Sequence, residues 1–176
     1  MSISYDELAP LYDELYGEEQ RVKYEAALRY VSHKGKLVLD VGCGTGMLLE
    51  HLEGVEYYVG LDSSKGMVLM AKRRLRRINT PSDLVLARGE LMPFRESIFT
   101  LVTSFTVIHE KPEMLEEMLR VAKGSSTIII SILRKCPDTL NIILDKLERL
   151  KVRYLLLELS KLKDKLLFIN LKKSFE

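Results

Sequence analysis

The sequence predicts an α/β protein: a single domain built on a doubly wound, mostly parallel seven-stranded sheet that ends in an antiparallel C-terminal hairpin. Three observations carry this. Apolar, β-branched runs alternate with stretches of helical periodicity, the order that a sheet with crossover helices requires. The first such run, Val38-Leu39-Asp40-Val41, feeds the turn Gly42-Cys43-Gly44-Thr45-Gly46, as a buried parallel strand delivers the backbone to a tight turn. Near the C-terminus two apolar runs are separated only by a short segment at 160–164.

Strands are expected at 36–41, 57–61, 83–87, 99–104 and 127–133. Helices fit between them at 47–52, 64–77 and 113–123, and an amphipathic helix at 18–31 precedes the first strand. Ser63 or Ser64 can cap the second of the crossover helices, and Pro112 suits the first turn of the third. A helix at 139–150 places Leu140, Ile143, Leu144 and Leu147 on one face. Residues 152–159 fit either an extension of that helix or a strand, because Tyr154-Leu155-Leu156-Leu157 suits both. The strand is preferred, paired with a last strand at 165–172. No repeat, low-complexity tract or linker divides the chain, so one domain over 1–176 is expected, with a helical cap at 1–34 and a core at 35–176.

Apolar residues make up 47% of the 176 residues and charged residues 30%, the balance of a globular protein. No apolar stretch reaches the roughly 18 residues of a membrane-spanning helix, and the opening Met1-Ser2-Ile3-Ser4-Tyr5-Asp6 lacks the pattern of a signal peptide. Cys43 and Cys136, far apart in sequence, read as reduced thiols of a cytoplasmic protein and not as a disulfide or a metal site, so no metal is expected. Net charge is only +2, but Lys72-Arg73-Arg74 with Arg76-Arg77 forms a basic cluster on one helix. The tail adds Lys161, Lys163, Lys165, Lys172 and Lys173. Such clusters attract phosphates, so RNA contact through 72–77 is one reading and a solvated helix face the other.

Ligands of open α/β sheets bind beyond the C-terminal ends of the strands, where the glycine turn lies. A phosphate-binding loop needs Gly-Lys-Ser/Thr, which Gly44-Thr45-Gly46-Met47 does not supply. A dinucleotide turn spaces its third glycine one residue later, and Asp40 would repel a pyrophosphate. A cationic ligand suits Asp40 better. S-adenosylmethionine is such a ligand, carrying an ammonium and a sulfonium. Gly60-Leu61-Asp62-Ser63-Ser64 supplies the second acid expected of such a site, with Asp62 able to accept both ribose hydroxyls.

With these residues in hand, the chain resembles the class I S-adenosylmethionine-dependent methyltransferases, a Rossmann-like family, and in particular its ubiquinone-biosynthesis-type (methyltransferase domain 11-like) subgroup. The first motif is Val38 to Gly46, the second Gly60 to Ser64, and Leu91-Met92-Pro93-Phe94 with Phe99 to Ser104 is similar to the third motif and fourth strand. Val107-Ile108-His109-Glu110 and Leu119-Arg120-Val121-Ala122-Lys123 follow in the family's order. The resemblance implies S-adenosylmethionine as cofactor, S-adenosylhomocysteine as product, and a cofactor site drawn from Asp40, Gly42, Cys43, Gly44, Thr45, Gly46, Asp62, Ser63, Met67, Gly89, Glu90, Leu91, Ser104 and Phe105. It sets Met67 against the adenine. The opening Tyr5 to Asp13 resembles a segment that folds over the cofactor, so Tyr5 and Tyr12 either help close the pocket or anchor the first helix.

Two departures stand out. An acid usually contacts the adenine amino group; ungapped alignment puts Arg88 there, whereas a shortened loop gives the role to Glu90. Glu90 is favoured, because arginine offers only donors to a group that is itself a donor. The common Lys-Pro-Gly-Gly turn is replaced by Lys123-Gly124-Ser125-Ser126.

Methyl transfer is in-line displacement at an activated carbon, so alignment supplies much of the rate. A base is needed only when the acceptor must lose a proton. His109 is the candidate, with packing or helix capping as its other role; His33 and His51 have weaker claims. Ser104-Phe105-Thr106-Val107 replaces the Asn/Asp-Pro-Pro-Tyr/Phe element of base-amino and glutamine-amide methyltransferases, which disfavours that chemistry. The acceptor is not written in the sequence. The short chain suits a macromolecular substrate or a small activator subunit that completes the pocket. A non-catalytic cofactor-binding protein and a nucleotide-dependent oxidoreductase are the competing classes.

Overall fold

The computed structural model describes residues 4–171. Seven strands form a mixed sheet, mostly parallel with antiparallel C-terminal strands, as the sequence predicts. The chain divides into two compact units at Gly89 and Glu90. Among the described residues no helix is long and apolar enough to cross a membrane.

The first unit opens with α1 (Tyr5–Leu8), a 3-10 turn (Ala9–Leu11) containing Pro10, and α2 (Tyr12–Leu28). A capping box starts α1: the Ser4 hydroxyl accepts from the Glu7 amide, and the Glu7 carboxylate accepts from the Ser4 amide. The α2 helix begins earlier than 18, because the proline turn runs straight into it and Asp13 and Glu14 favour its first turn. Three parallel strands follow in the spatial order β3-β2-β1: β1 (Leu37–Val41), β2 (Tyr57–Asp62) and β3 (Ser82–Leu86).

The helix expected at 47–52 is instead a 3-10 turn, Met47–His51. Left-handed Gly46 precedes it and Leu52 leaves helical geometry, so the connection to β2 is short. The greater rise of a 3-10 turn, about 2.0 Å per residue, covers that distance better than an α-helix. Between β2 and β3 runs α3 (Lys65–Leu75), capped by Ser64, whose hydroxyl accepts from the Met67 amide.

The second unit holds β4 (Phe99–Phe105), α4 (Met114–Val121), β5 (Ala122–Leu133), α5 (Pro137–Arg149), β6 (Arg153–Glu158) and β7 (Asp164–Asn170), with the strands in the order β4-β5-β7-β6. The stretch 153–158 resolves as a strand, because β7 pairs with it and with β5 in antiparallel register. The final strand ends at Asn170; Lys172 and Lys173 lie outside the described residues.

Helix α4 is shorter than 113–123 at both ends. Pro112 precedes it in a turn, and Ala122 passes directly into β5 with extended geometry. Lys123-Gly124-Ser125-Ser126 is therefore part of β5, at an irregularity where the register moves from Phe99↔Ala122 to Leu101↔Thr127. The apolar faces of the two long helices settle the packing: Met114, Leu115, Met118 and Val121 of α4 and Leu140, Ile143 and Leu147 of α5 are buried.

Candidate functional site

The glycine turn leaves β1 with positive φ at Gly42, Gly44 and Gly46, which glycine alone adopts without strain. Gly42 and Cys43 both donate amide hydrogens to the Leu61 carbonyl, at 2.7 and 3.0 Å, so the turn is tied to the end of β2. A Cβ on Gly46 would lie 3.1 Å from Leu75 Cδ1 and 3.2 Å from Ala71 Cβ, so this glycine serves helix packing. A Cβ on Gly44 would meet nothing within 4 Å; here the backbone faces open space.

Asp62 sits beside that opening. Its Oδ2 accepts from the Gly44 amide at 2.9 Å and its Oδ1 from the Ser64 amide at 2.8 Å. Burial pushes its carboxyl up, against the opposing pull of those amides. A carboxylate has about four acceptor directions, so it can still take a ligand hydroxyl beside these amides. A carboxylate oriented by backbone next to an unobstructed glycine fits the ribose and amino-acid ends of S-adenosylmethionine.

Asp40 occupies a different setting. It is 3% exposed, and the Tyr58 hydroxyl donates to its Oδ2 at 2.8 Å. Its charge is held inside the core beneath the turn. Cys43 is buried as well, and burial raises its thiol well above the usual value, so it packs as a neutral side chain. Its Sγ would stand 2.9 Å from a Cβ on Gly60, which makes Gly60 obligatory in the neighbouring strand.

The N-terminal helices reach this turn and the start of α3 through two acids, Asp13 and Asp6, that sequence reasoning missed. Asp13 accepts the Thr45 hydroxyl on Oδ1 at 2.5 Å and the Arg74 guanidinium on Oδ2 at 2.5 Å. Arg74 also donates to the Thr45 carbonyl at 2.8 Å and pairs with Glu50 at 2.8 Å. The basic run 72–77 therefore loses Arg74, half-buried in these contacts, while Lys72, Arg73, Arg76 and Arg77 stay exposed. Asp6 accepts the Ser64 hydroxyl at 2.6 Å and the Gly66 amide at 2.7 Å, and the Ser64 hydrogen bond in particular holds its carboxyl below the usual range. Tyr12 is half-buried, with burial raising its phenol; Tyr5 is 49% exposed. Met67 is buried and Ser63 exposed.

In the first unit Gly89 is buried. In the second, Glu90 pairs with Lys111 at 3.3 Å, and Leu91 is 71% exposed. Met92 and Phe94 are clamped by α4: Arg120 donates to their carbonyls at 3.1 and 2.8 Å, and Glu117 accepts the Met92 amide at 2.8 Å. An i,i+3 acid–base pair after a Leu-Met-Pro-Phe element was the available signal. Ser104 and Phe105 are buried at the end of β4. The next residue, Thr106, has φ 61, an uncommon conformation for a β-branched residue. Its amide donates to Ser131 Oγ at 2.8 Å and its hydroxyl to buried Asp164 at 3.2 Å. His109 is mostly buried, with Nε2 3.9 Å from Glu110, and its carbonyl accepts from Thr139.

A methyltransferase domain model matches residues 39–130, 92 of the 176 residues and so more than half. The chain belongs to the methyltransferase domain family. It is a class I member, and the cofactor of that class is S-adenosylmethionine. An uncharacterized protein of Methanocaldococcus jannaschii is 33% identical over 132 residues, which is 73% of this chain and 49% of that protein. The chain thus spans about half the length of that curated relative. Among solved structures, an S-adenosylmethionine-dependent methyltransferase from Aquifex aeolicus superposes with a TM-score of 0.76 at 21% identity, covering 96% of this chain and 98% of its own. A Haloferax volcanii methyltransferase in complex with the Trm112 activator superposes with a TM-score of 0.74 at 15% identity, over 98% of this chain and 100% of its own. At these identities the superpositions show a shared fold.

Proposed function

We propose that this methyltransferase domain moves a methyl group from S-adenosylmethionine to an acceptor, and that the residues of 1–176 act as one cofactor-binding domain in the cytoplasm. The observation that supports this best is Asp62, fixed by the Gly44 and Ser64 amides beside an open glycine. When bound, S-adenosylmethionine supplies a sulfonium-activated methyl group, which an acceptor lone pair takes in an in-line displacement that releases S-adenosylhomocysteine. The chain's own contribution is positioning. Asp62 takes the ribose hydroxyls, the Gly44 backbone admits the ligand closely, and Asp13, Thr45 and Arg74 stiffen the turn. Asp40 acts through the core under that turn and not by direct contact. Glu90 is the acceptor for the adenine amino group, with Lys111 as its present partner. Where the acceptor must lose a proton, His109 takes it.

Calorimetry tests the reading directly: binding of S-adenosylhomocysteine without binding of NAD is expected, and the reverse result overturns it. Incubating labelled S-adenosylmethionine with RNA, protein and small-molecule fractions identifies the acceptor class. His109→Ala is expected to leave cofactor affinity unchanged and to slow turnover about 100-fold, the scale of general-base catalysis; unchanged turnover makes His109 structural. Likeness to the activator-bound Haloferax methyltransferase supports a small activator subunit here too. The four exposed cations of 72–77 support contact with an RNA acceptor.

A further inference from the structure

We infer that the side-chain amide of Gln20 binds the α-amino-acid end of the cofactor, accepting an N–H of its ammonium on Oε1. This rests on the cofactor reading above and adds to it a residue of α2 that none of the sequence motifs contains.

Asp13, Gly17, Gln20 and Tyr24 succeed one another at spacings of four, three and four, so they share one face of α2. The neighbours of the other three place that face over the glycine turn and its strand. Asp13 accepts the Thr45 hydroxyl inside the turn. A Cβ on Gly17 would lie 3.4 Å from Met47 Cε, so the helix backbone runs close to the residue that follows the turn. Tyr24 is buried, and after burial itself the charge of Asp40 contributes most to raising its phenol.

Gln20 lies between these contacts and is 4% exposed. Its Nε2 donates to the Tyr12 hydroxyl at 3.4 Å, and Tyr12 in turn senses the charge of Asp62. Its Oε1 is buried with no hydrogen-bond partner among the described residues. Buried acceptors are rarely left in that state, because the lost hydration is not replaced. A ligand donor arriving at the turn would satisfy it.

The cofactor offers three sets of donors: ribose hydroxyls, the adenine amino group and the ammonium. Asp62 is placed for the hydroxyls. Asp40, the acid that sequence reasoning set beside a cationic ligand, already accepts from Tyr58 within the core. That leaves the ammonium for an acceptor above the turn, and Gln20 Oε1 is one.

Two probes separate this role from a structural one. S-adenosylhomocysteine carries the amino-acid end; 5′-methylthioadenosine has the same adenosine and sulfur without it. In calorimetry, Gln20→Leu is expected to weaken S-adenosylhomocysteine binding about tenfold or more, with less than a twofold change for 5′-methylthioadenosine. Gln20→Glu, which keeps an acceptor, is expected to retain most of the affinity. An equal loss for both probes, or no loss for S-adenosylhomocysteine, overturns the assignment. If Gln20→Leu fails to fold, Gln20→Met decides by the same ratio of affinities. Wild-type protein that binds neither probe overturns the cofactor reading itself, whereas normal wild-type binding with an indifferent Gln20 overturns this inference alone.

Discussion

In the first unit, polar side chains converge on main chain: Asp62 on the Gly44 and Ser64 amides, Asp6 on the Gly66 amide, Arg74 on the Thr45 carbonyl. In the second, the polar groups at the ends of β4, β5 and β7 bind one another, as Thr106, Ser131 and Asp164 do, around a residue with φ 61. The difference separates two tasks. On the reading proposed above, the first unit meets its ligand with main chain that these side chains hold in place. The turn after β4 is instead a strained segment held by side chains of β5 and β7, the kind of place where local strain persists because its surroundings over-determine it.

That contrast can be broken at the first unit most forcefully. Asp62→Ala should lower S-adenosylhomocysteine affinity by on the order of 100-fold or more in calorimetry, because it removes charge-assisted contacts and releases the backbone amides that the carboxylate holds. Retention of near-normal affinity would place the ribose elsewhere. Acid should mimic the substitution reversibly. Burial raises the Asp62 carboxyl, so it takes up its proton at a higher pH than an ordinary aspartate and can then no longer accept from both hydroxyls. Affinity is therefore full above that raised value and falls by about tenfold per pH unit below it. The same shift makes the folded state bind the proton more tightly than the unfolded chain. This carboxyl thus favours folding at low pH, and that contribution is lost as pH rises through the folded value.

Smaller effects sharpen the comparison. Gly60→Ala drives a methyl group to 2.9 Å from both Cys43 Sγ and Leu84 Cδ2, and thermal melts should show a loss of about 1–3 kcal/mol. In the second unit, Thr106→Gly relieves the left-handed backbone by about 1 kcal/mol but forfeits a hydroxyl bond of similar size. Stability should hold within about 1 kcal/mol, and cofactor affinity within twofold. A large loss of affinity would mean that the turn after β4 contributes to the cofactor site as directly as the glycine turn does.

Much of this was legible in the sequence. Strands β1, β2 and β4 read clearly because buried parallel strands are near-continuous apolar runs. Asp62 was legible because its neighbours set it at a strand end, two residues before a cap. The stretch 153–158 was ambiguous, since only pairing with β7 distinguishes a strand from a helix there. The failure at 47–52 came from reading apolar spacing without the length of the connection. Arg74 was read with its basic neighbours, and nothing local distinguishes it; its partners Thr45 and Asp13 lie 29 and 61 residues away. Gln20, Asp6 and Asp13 were missed for the same reason: a hydrogen bond between distant segments leaves no period in the chain.

The two aspartates of the N-terminal segment grip α3 at its opposite ends, Asp6 at Ser64 and Gly66 and Asp13 at Arg74. A segment fastened at two points behaves like a strap with two buckles. Opening either one leaves the other as a tether, so the segment stays near its seat and re-closes as an intramolecular event. Complete release requires both to open together, which is rarer than either alone. Ionic strength and acid loosen the two grips unequally: Asp13 pairs with a guanidinium and is sensitive to salt, whereas Asp6 is held by a hydroxyl and an amide and yields mainly to protonation.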